Sequence, residues 1–266
     1  MLPPLLAAIQ APMFAAVLQA LVETEPSRKC QLVAALEFDA NAAANPAPPS
    51  SSAASGIPGR PPLPLLLHPR EVPARGLGSL AGRAALAHAV AHIEFNAINL
   101  ALDAAWRFRG LPADYYADWI SVAQDEARHF AMLRLRLQQL GYDYGSFNAH
   151  NGLWEAAEKT AHDALTRMAC VPRVLEARGL DVTPGIIKRL REVGDLETLA
   201  VLEVILAEEV RHVAIGTRWF HYLCGQQGLA PVATFKRLLR EQGMNLRPPF
   251  NLAARAEAGF VDEEFL

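Results

Sequence analysis

From Ser79 onward the apolar residues of this chain recur every three or four positions, the period of a helix that buries one face. Ser79 offers an N-cap, and Leu86, Val90, Ile93, Ala97, Leu100 and Ala104 then keep helical spacing up to Gly110. A second helix is predicted from Pro112 to Gly141, with Trp119, Ala123, Phe130, Leu133, Leu137 and Leu140 on one face. A third runs through Trp154, Ala157, Ala161, Leu165 and Met168 and ends near Gly179. Pro172 should kink it, because proline lacks an N–H and crowds the carbonyl of Met168. A short helix is expected from Thr183-Pro184 to Gly194. A fourth long one runs from an Asp195 cap to about Gly225, with Leu199, Leu202, Leu206, Val213, Gly216 and Phe220 inward. The expectation is an all-α protein whose residues 79–225 form a four-helix bundle.

The flanks carry different patterns. Residues 1–38 read as an N-terminal helical segment in two pieces, with Pro26 at a first-turn position. Nine prolines between Pro46 and Pro73 leave no room for regular structure, so 39–78 is expected to be a linker or a belt over the surface. Residues 226–266 hold an amphipathic helix after Pro231 and an irregular tail.

Acidic residues interrupt the apolar faces at repeated places. Glu94 precedes Glu126-Ala-Arg-His129 by 32 residues, and Glu176 precedes Glu209-Val-Arg-His212 by 33. Positions i and i+3 share a helix face, so each Glu-x-x-His aims a carboxylate and an imidazole at one point. Four helices each giving a glutamate, two of them adding a histidine, make a carboxylate-bridged two-metal site. Glu94 lies 15 residues before Arg109 and Glu126 lies 13 after Ala113, so antiparallel packing brings them level. Glu176 meets Glu209 only if residues 184–193 continue the direction of the third helix, which predicts a broken helix rather than a folded-back loop.

The chemistry of the ligand set narrows the metal. Four carboxylates carry −4 and two divalent ions carry +4, a neutral cluster that can be buried where bare carboxylates cannot. Oxygen-rich ligation with one imidazole per metal suits iron or manganese better than zinc. Asp125 and Glu208 each stand one place before the motif glutamate. They are expected to orient a metal-binding imidazole, that of the opposite helix.

Composition removes several other readings. The 266 residues are 52% apolar and carry 25 basic and 28 acidic side chains, a formal charge of −3 that favours neither nucleic acid nor a membrane surface. Three cysteines without CxxC spacing argue against a disulfide framework or a zinc knuckle. The apolar start lacks a basic residue and is broken by Pro3, Pro4 and Pro12, and no window offers about 18 uninterrupted apolar residues. A cytoplasmic location is therefore expected. His88, His92, His150 and His162 read as structural, with His150-Asn-Gly-Leu-Trp a capping turn or a pocket rim. Glu203 reads as solvated or paired with an arginine, and Tyr115, Tyr116 and Trp119 as core. Arg128 and Arg211 are expected to pair with helix-surface acids, and Lys236, Arg237 and Arg240 to form a solvated face.

The E…ExxH…E…ExxH pattern resembles the ferritin-like superfamily. The segments "LGSLAGRAALAHAVAHIEFNAINLALDA", "DEARHF", "HNGLWEAAEKTAHD", "VPRVLEARGLDVTP", "EEVRHVAIGTRWF" and "PPFNLAARAEAGF" resemble a bacterial family of uncharacterised ferritin-like proteins over nearly the whole chain. The resemblance implies two iron ions, or a manganese and iron pair, on Glu94, Glu126, His129, Glu176, Glu209 and His212, with Glu126 and Glu209 as bridges. A more distant analogy links the site to di-iron tRNA hydroxylases. The function expected is a non-haem di-iron oxidoreductase activating O2 to hydroxylate or oxidise a small molecule or modified nucleoside, with an electron donor that the sequence does not identify. The alternatives are a ferroxidase or peroxide-detoxifying protein, and a non-catalytic bundle around a structural metal site. Long terminal additions and interior aromatics argue against a 24-subunit cage and leave a homodimer open.

Overall fold

A computed structural model describes residues 13–44, 57–73 and 75–265. The apolar residues 1–12 and part of the proline-rich stretch, 45–56, lie outside the described residues. The N-terminal segment forms α1 (Met13–Val22), α2 (Pro26–Ala34) and a short α3 (Ala40–Ala44). Pro26 occupies the first turn of α2 and the Glu25 carboxylate accepts from the Ser27 and Arg28 amides, so the cap comes from an acid at the positive end of the helix. Lys29 is fully buried, and its ammonium group donates to the carbonyls of Ala20 and Leu21 and to Asn99 Oδ1. Those bonds satisfy two carbonyls at the end of α1 and tie the segment to the bundle.

The bundle begins where Ser79 Oγ accepts from the Gly82 amide and caps α4 (Leu80–Arg107). α5 (Ala113–Gln139) returns alongside it, and the two pack along most of their lengths. Phe95, Ile98, Leu102, Phe130, Leu133 and Leu137 are buried between and around them. Each such side chain contributes roughly 1.5–3 kcal/mol when removed from water. α6 (Gly152–Lys159) is followed by a turn, then α7 (Ala164–Cys170), a π-helical stretch over Val171–Glu176, and α8 (Ala177–Glu192) without interruption. α9 (Leu196–Gln226) starts at Asp195, whose carboxylate accepts from the Thr198 amide, and packs on α5, α7 and α8. α10 (Pro231–Glu241) and α11 (Leu252–Glu257) close over α7, α8 and α9. All regular elements among the described residues are helical, apart from one isolated bridge between Leu66 and Ala149.

The third helix departs from the sequence expectation. It does not end near Gly179, and no separate helix begins at Thr183; Gly179, Thr183 and Pro184 all lie inside α8. Leu180, Ile187 and Leu190 are buried on one face of α8, and that packing carries the helix past a glycine and a proline that local propensity would stop at. The break falls earlier, at Thr160–Asp163, where the Asp163 carboxylate caps α7 by accepting from the Thr166 amide. Pro172 stands at the start of a π turn, whose wider coil accommodates the missing N–H and the ring, and the helical run continues through it into α8. The neighbouring helix makes room: a Cβ on Gly216 would stand 2.3 Å from Pro172 Cβ.

The linker beyond residue 56 behaves as a belt. Gly59 donates to the Leu21 carbonyl, the Arg60 guanidinium lies over Trp154, and Leu67 donates to the Ala149 carbonyl.

Candidate metal centre

The six candidate ligands come from all four long elements: Glu94 on α4, Glu126 and His129 on α5, Glu176 at the end of the π stretch, and Glu209 and His212 on α9. His129 Nδ1 lies 3.2 Å from Glu94 Oε2 and 3.4 Å from Glu126 Oε2. His212 Nδ1 lies 2.8 Å from Glu126 Oε1 and 3.1 Å from Glu209 Oε2. Two groups able to hold a cation result, Glu94 with Glu126 and His129, and Glu126 with Glu209 and His212. Glu126 is shared, one oxygen toward each histidine; Glu209 belongs to one group alone, and Glu176 lies outside both.

These separations suit a metal. Ligand bonds of ~2.1 Å at right angles leave neighbouring donor atoms about 3 Å apart, the spacing seen around each Nδ1. Glu126 Oε2 and Glu176 Oε2 are buried and lack any hydrogen-bond partner. A buried carboxylate oxygen with nothing to accept from is expensive, and a cation is the partner that satisfies several at once.

The far side of each imidazole is held by the other helix. His129 Nε2 lies 2.7 Å from Glu208 Oε2 of α9, and His212 Nε2 lies 3.2 Å from Asp125 Oδ2 of α5. Each acid thus reaches the histidine of the opposite helix, and fixing a proton on Nε2 leaves the Nδ1 lone pair facing the cluster. Arg128 and Arg211 pair with partly exposed acids on the helix surfaces, as expected from the sequence, and those acids are this pair. Arg128 donates to Asp125 and to both oxygens of Glu208, and Arg211 donates to Asp125 and to the Ser121 hydroxyl. Two negative and two positive charges balance in this outer layer.

The bare cluster is electrostatically strained. Burial, followed by the charge of Glu126, pushes the Glu94 carboxyl well up, and burial with the charge of Glu209 does the same to Glu176. Burial and the Glu126 charge raise Glu209. Glu126 is held low against its own burial by His212 and His129. Burial opposes protonation of His129, yet Glu126 and Glu94 lift it to about 10, and His212 is raised for the same reason. Hydrogen bonding from His212 holds Asp125 down at about 2. Without a cation, protons occupy the positions that metal would take.

A cavity of about 250 Å³ opens over this floor and is lined by all four glutamates. Its walls are apolar, and Ile93, predicted to face inward, is instead 48% exposed at its edge. The stripe that begins α4 therefore serves the cavity before it serves the core. His150, Arg178 and Thr183 also line it; the segment beginning at His150 was expected as a capping turn or a pocket rim, whereas Arg178 and Thr183 were not singled out. For His150 the signal was the His150-Asn-Gly segment: its Nδ1 accepts from the Gly152 amide at the start of α6 while its ring edges the cavity. Arg178 gave no signal, since one arginine on an amphipathic helix is unexceptional.

The remaining sequence assignments resolve as structural. His92 bonds Tyr144 Oη through Nδ1 and the His150 carbonyl through Nε2, and His88 Nε2 accepts from the Gly145 amide. Tyr115, Tyr116 and Trp119 are buried, and Glu203 pairs with Arg191 at the surface. Cys30, Cys170 and Cys224 are free thiols, and no helix among the described residues is long and apolar enough to cross a membrane.

Residues 22–266 match the family described as Protein of unknown function (DUF455). The chain belongs to this family. It is also 46% identical over 209 residues, 76% of this chain and 73% of the relative, to an uncharacterised protein of Haemophilus influenzae. No solved structure matches it.

Proposed function

We propose that this DUF455 protein holds two transition-metal ions, both iron or a manganese and iron pair, and uses them to oxidise an organic substrate with O2. The observation that carries the reading is a pair of Glu/His groups joined through Glu126, whose glutamates, together with Glu176, line one apolar cavity. Glu94 and His129 would hold one ion, Glu209 and His212 the other, Glu126 both, and Glu176, whose buried Oε2 has no hydrogen-bond partner, would complete the set. When bound, the metal pair supplies O2 activation and two-electron redox chemistry. For a hydroxylation the balance is R–H + O2 + 2e⁻ + 2H⁺ → R–OH + H2O, with the electrons from an external donor.

The chain's own residues orient and shield. Glu208 and Asp125 fix the imidazoles, Arg128 and Arg211 neutralise those acids, and the apolar walls keep bulk water from the reacting position. The cavity also weighs between alternatives. A ferroxidase needs a polar path for hydrated iron, and a structural metal site needs no space beside it; an apolar chamber over the glutamates favours an organic substrate.

Metal analysis of protein produced with iron, followed by anaerobic reduction and exposure to O2 with spectroscopic detection, tests the proposal. Two irons per chain, or one iron and one manganese, and rapid O2-dependent spectral change are expected. A chain purified from iron-replete cells with no transition metal bound would overturn it.

A further inference from the structure

We infer that the substrate enters with an apolar end of up to about eight non-hydrogen atoms and carries an anionic or carbonyl group that Arg178 binds at the rim. The inference rests on the proposed function only in taking this cavity as the substrate's; binding is measured separately from oxidation.

The size follows from the space. A cavity of about 250 Å³ over the glutamates, at roughly 30 Å³ for each water-sized unit, holds about eight heavy atoms. That is one linear or branched aliphatic group or one substituted ring. Its wall is built by Ala97, Leu100, Val182, Ile186, Leu202 and Ile205, all without hydrogen-bonding side chains. The part of the substrate that reaches the floor must therefore be apolar, because a hydroxyl or amide there would lose its water without gaining a partner.

The charge follows from the rim. Arg178 lines the cavity while 39% of its side chain remains exposed, so the guanidinium sits where the cavity meets solvent. Its Nη1 donates to the carbonyls of Arg247 and Pro249, which fixes the head of the side chain against the C-terminal tail. Asp181 stands 3.6 Å away but already accepts two bonds from Arg255, Nε to Oδ1 and Nη2 to Oδ2. Arg178 is thereby a positioned cation whose neighbouring acid is engaged elsewhere, the arrangement that receives an anionic or carbonyl oxygen. Thr183 and His150 on the same rim add a hydroxyl and a ring nitrogen. With two divalent ions on four glutamates the floor is neutral, so it does not repel an anion held at the rim.

The size limit and the rim cation together define a class: short-chain or single-ring organic acids, or acyl and aryl groups presented by a larger molecule through a carbonyl. A neutral or cationic molecule of the same shape would offer the Arg178 guanidinium no further negative charge.

The test uses iron-loaded, full-length protein held anaerobically, with heats of binding measured for octanoate, butanoate, octylammonium and 1-octanol. Each buried methylene is worth about fourfold, so octanoate should bind at least about tenfold more tightly than butanoate. It should also exceed octylammonium. Arg178→Met should weaken octanoate about tenfold or more and leave 1-octanol unchanged, whereas a merely structural role would weaken both. Val182→Trp, at a half-buried wall position, should abolish octanoate binding with metal content intact. Ile186→Ala, which enlarges the wall and keeps the fold, should shift the preference to longer acids. Equal affinity for butanoate and octanoate, a preference for octylammonium, or octanoate binding untouched by both wall variants would overturn the inference. Octanoate binding in a protein that never reacts with O2 would remove the oxidase reading and leave this one. O2 reactivity without octanoate binding would do the reverse.

Discussion

Glu208 Oε2 of α9 stands 2.7 Å from His129 Nε2 of α5, although 79 residues separate them in the chain. The reciprocal contact joins Asp125 to His212 across 87 residues. Each helix thus supplies a histidine facing the carboxylate cluster and the anchor for the histidine on its neighbour. Two helices that slide or rotate relative to one another lose both anchors together, so helix packing and imidazole orientation are one property.

Removing an anchor should weaken metal binding and spare the fold. Asp125 and Glu208 are partly exposed, and Glu208→Gln or Asp125→Asn leaves shape unchanged while abolishing the charge that orients the imidazole. A loss of about 10- to 100-fold in metal affinity is expected, read by competition with a chelator, with helix content by circular dichroism unaltered.

Metal uptake should release protons. His129 in the bare cluster is raised to about 10 and His212 is also raised, while Glu94, Glu176 and Glu209 are pushed up by burial and by their neighbours' charge. Metal needs these groups deprotonated, so affinity rises with pH through the neutral range, by about tenfold per unit for each proton expelled. Calorimetry in buffers of different ionisation heat would count the protons. Heats independent of buffer would contradict the assignment.

Acid should loosen the segment around Tyr144 before the bundle melts. Burial lowers His88 and His92 to about 4 each, against 6.5 for an exposed histidine. The unfolded chain therefore binds more protons than the folded one between those values. Stability is complete above pH 6.5 and falls as pH drops toward 4, by about 1.4 kcal/mol per pH unit for each histidine. Urea midpoints at pH 7 and pH 5 measure it, and the His88→Gln, His92→Gln double variant should flatten the dependence.

The tail should depend on one buried ion pair. Arg173 and Glu264 are both buried, their two oxygens and Nη2 meet at 2.7 Å, and Phe220, Phe235 and Phe260 surround the guanidinium at 4.2–4.6 Å. Glu264→Gln leaves Arg173 buried without a counter-charge and should cost about 3–5 kcal/mol in urea unfolding. Arg173→Met with Glu264→Gln should cost less than the single changes summed, since neither charge is then stranded.

Much of the fold was legible in the spacing of apolar residues. Ser79 and Asp195 cap the helices they were expected to cap, and α4, α5 and α9 end within a few residues of Gly110, Gly141 and Gly225. The third element was misread because glycine and proline carry local penalties of only about 1–3 kcal/mol, which packing of Leu180, Ile187 and Leu190 outweighs. Exposure of Ile93 was equally invisible, since a stripe lining a cavity and a stripe lining a core have the same period.

The sequence by itself determined which side chains could converge: a carboxylate and an imidazole three residues apart share a helix face whatever the helix packs against. It also determined the number of long helices and the acids beside each motif. The tertiary structure alone decided that Glu126 is shared by both groups while Glu176 stands apart, that each histidine is held from the opposite helix, and that an apolar cavity with Arg178 at its rim lies over the glutamates. Those outcomes depend on the rotation and height of one helix against another. Such quantities are set by hundreds of weak contacts, each about 0.1–0.2 kcal/mol, and no local spacing encodes them.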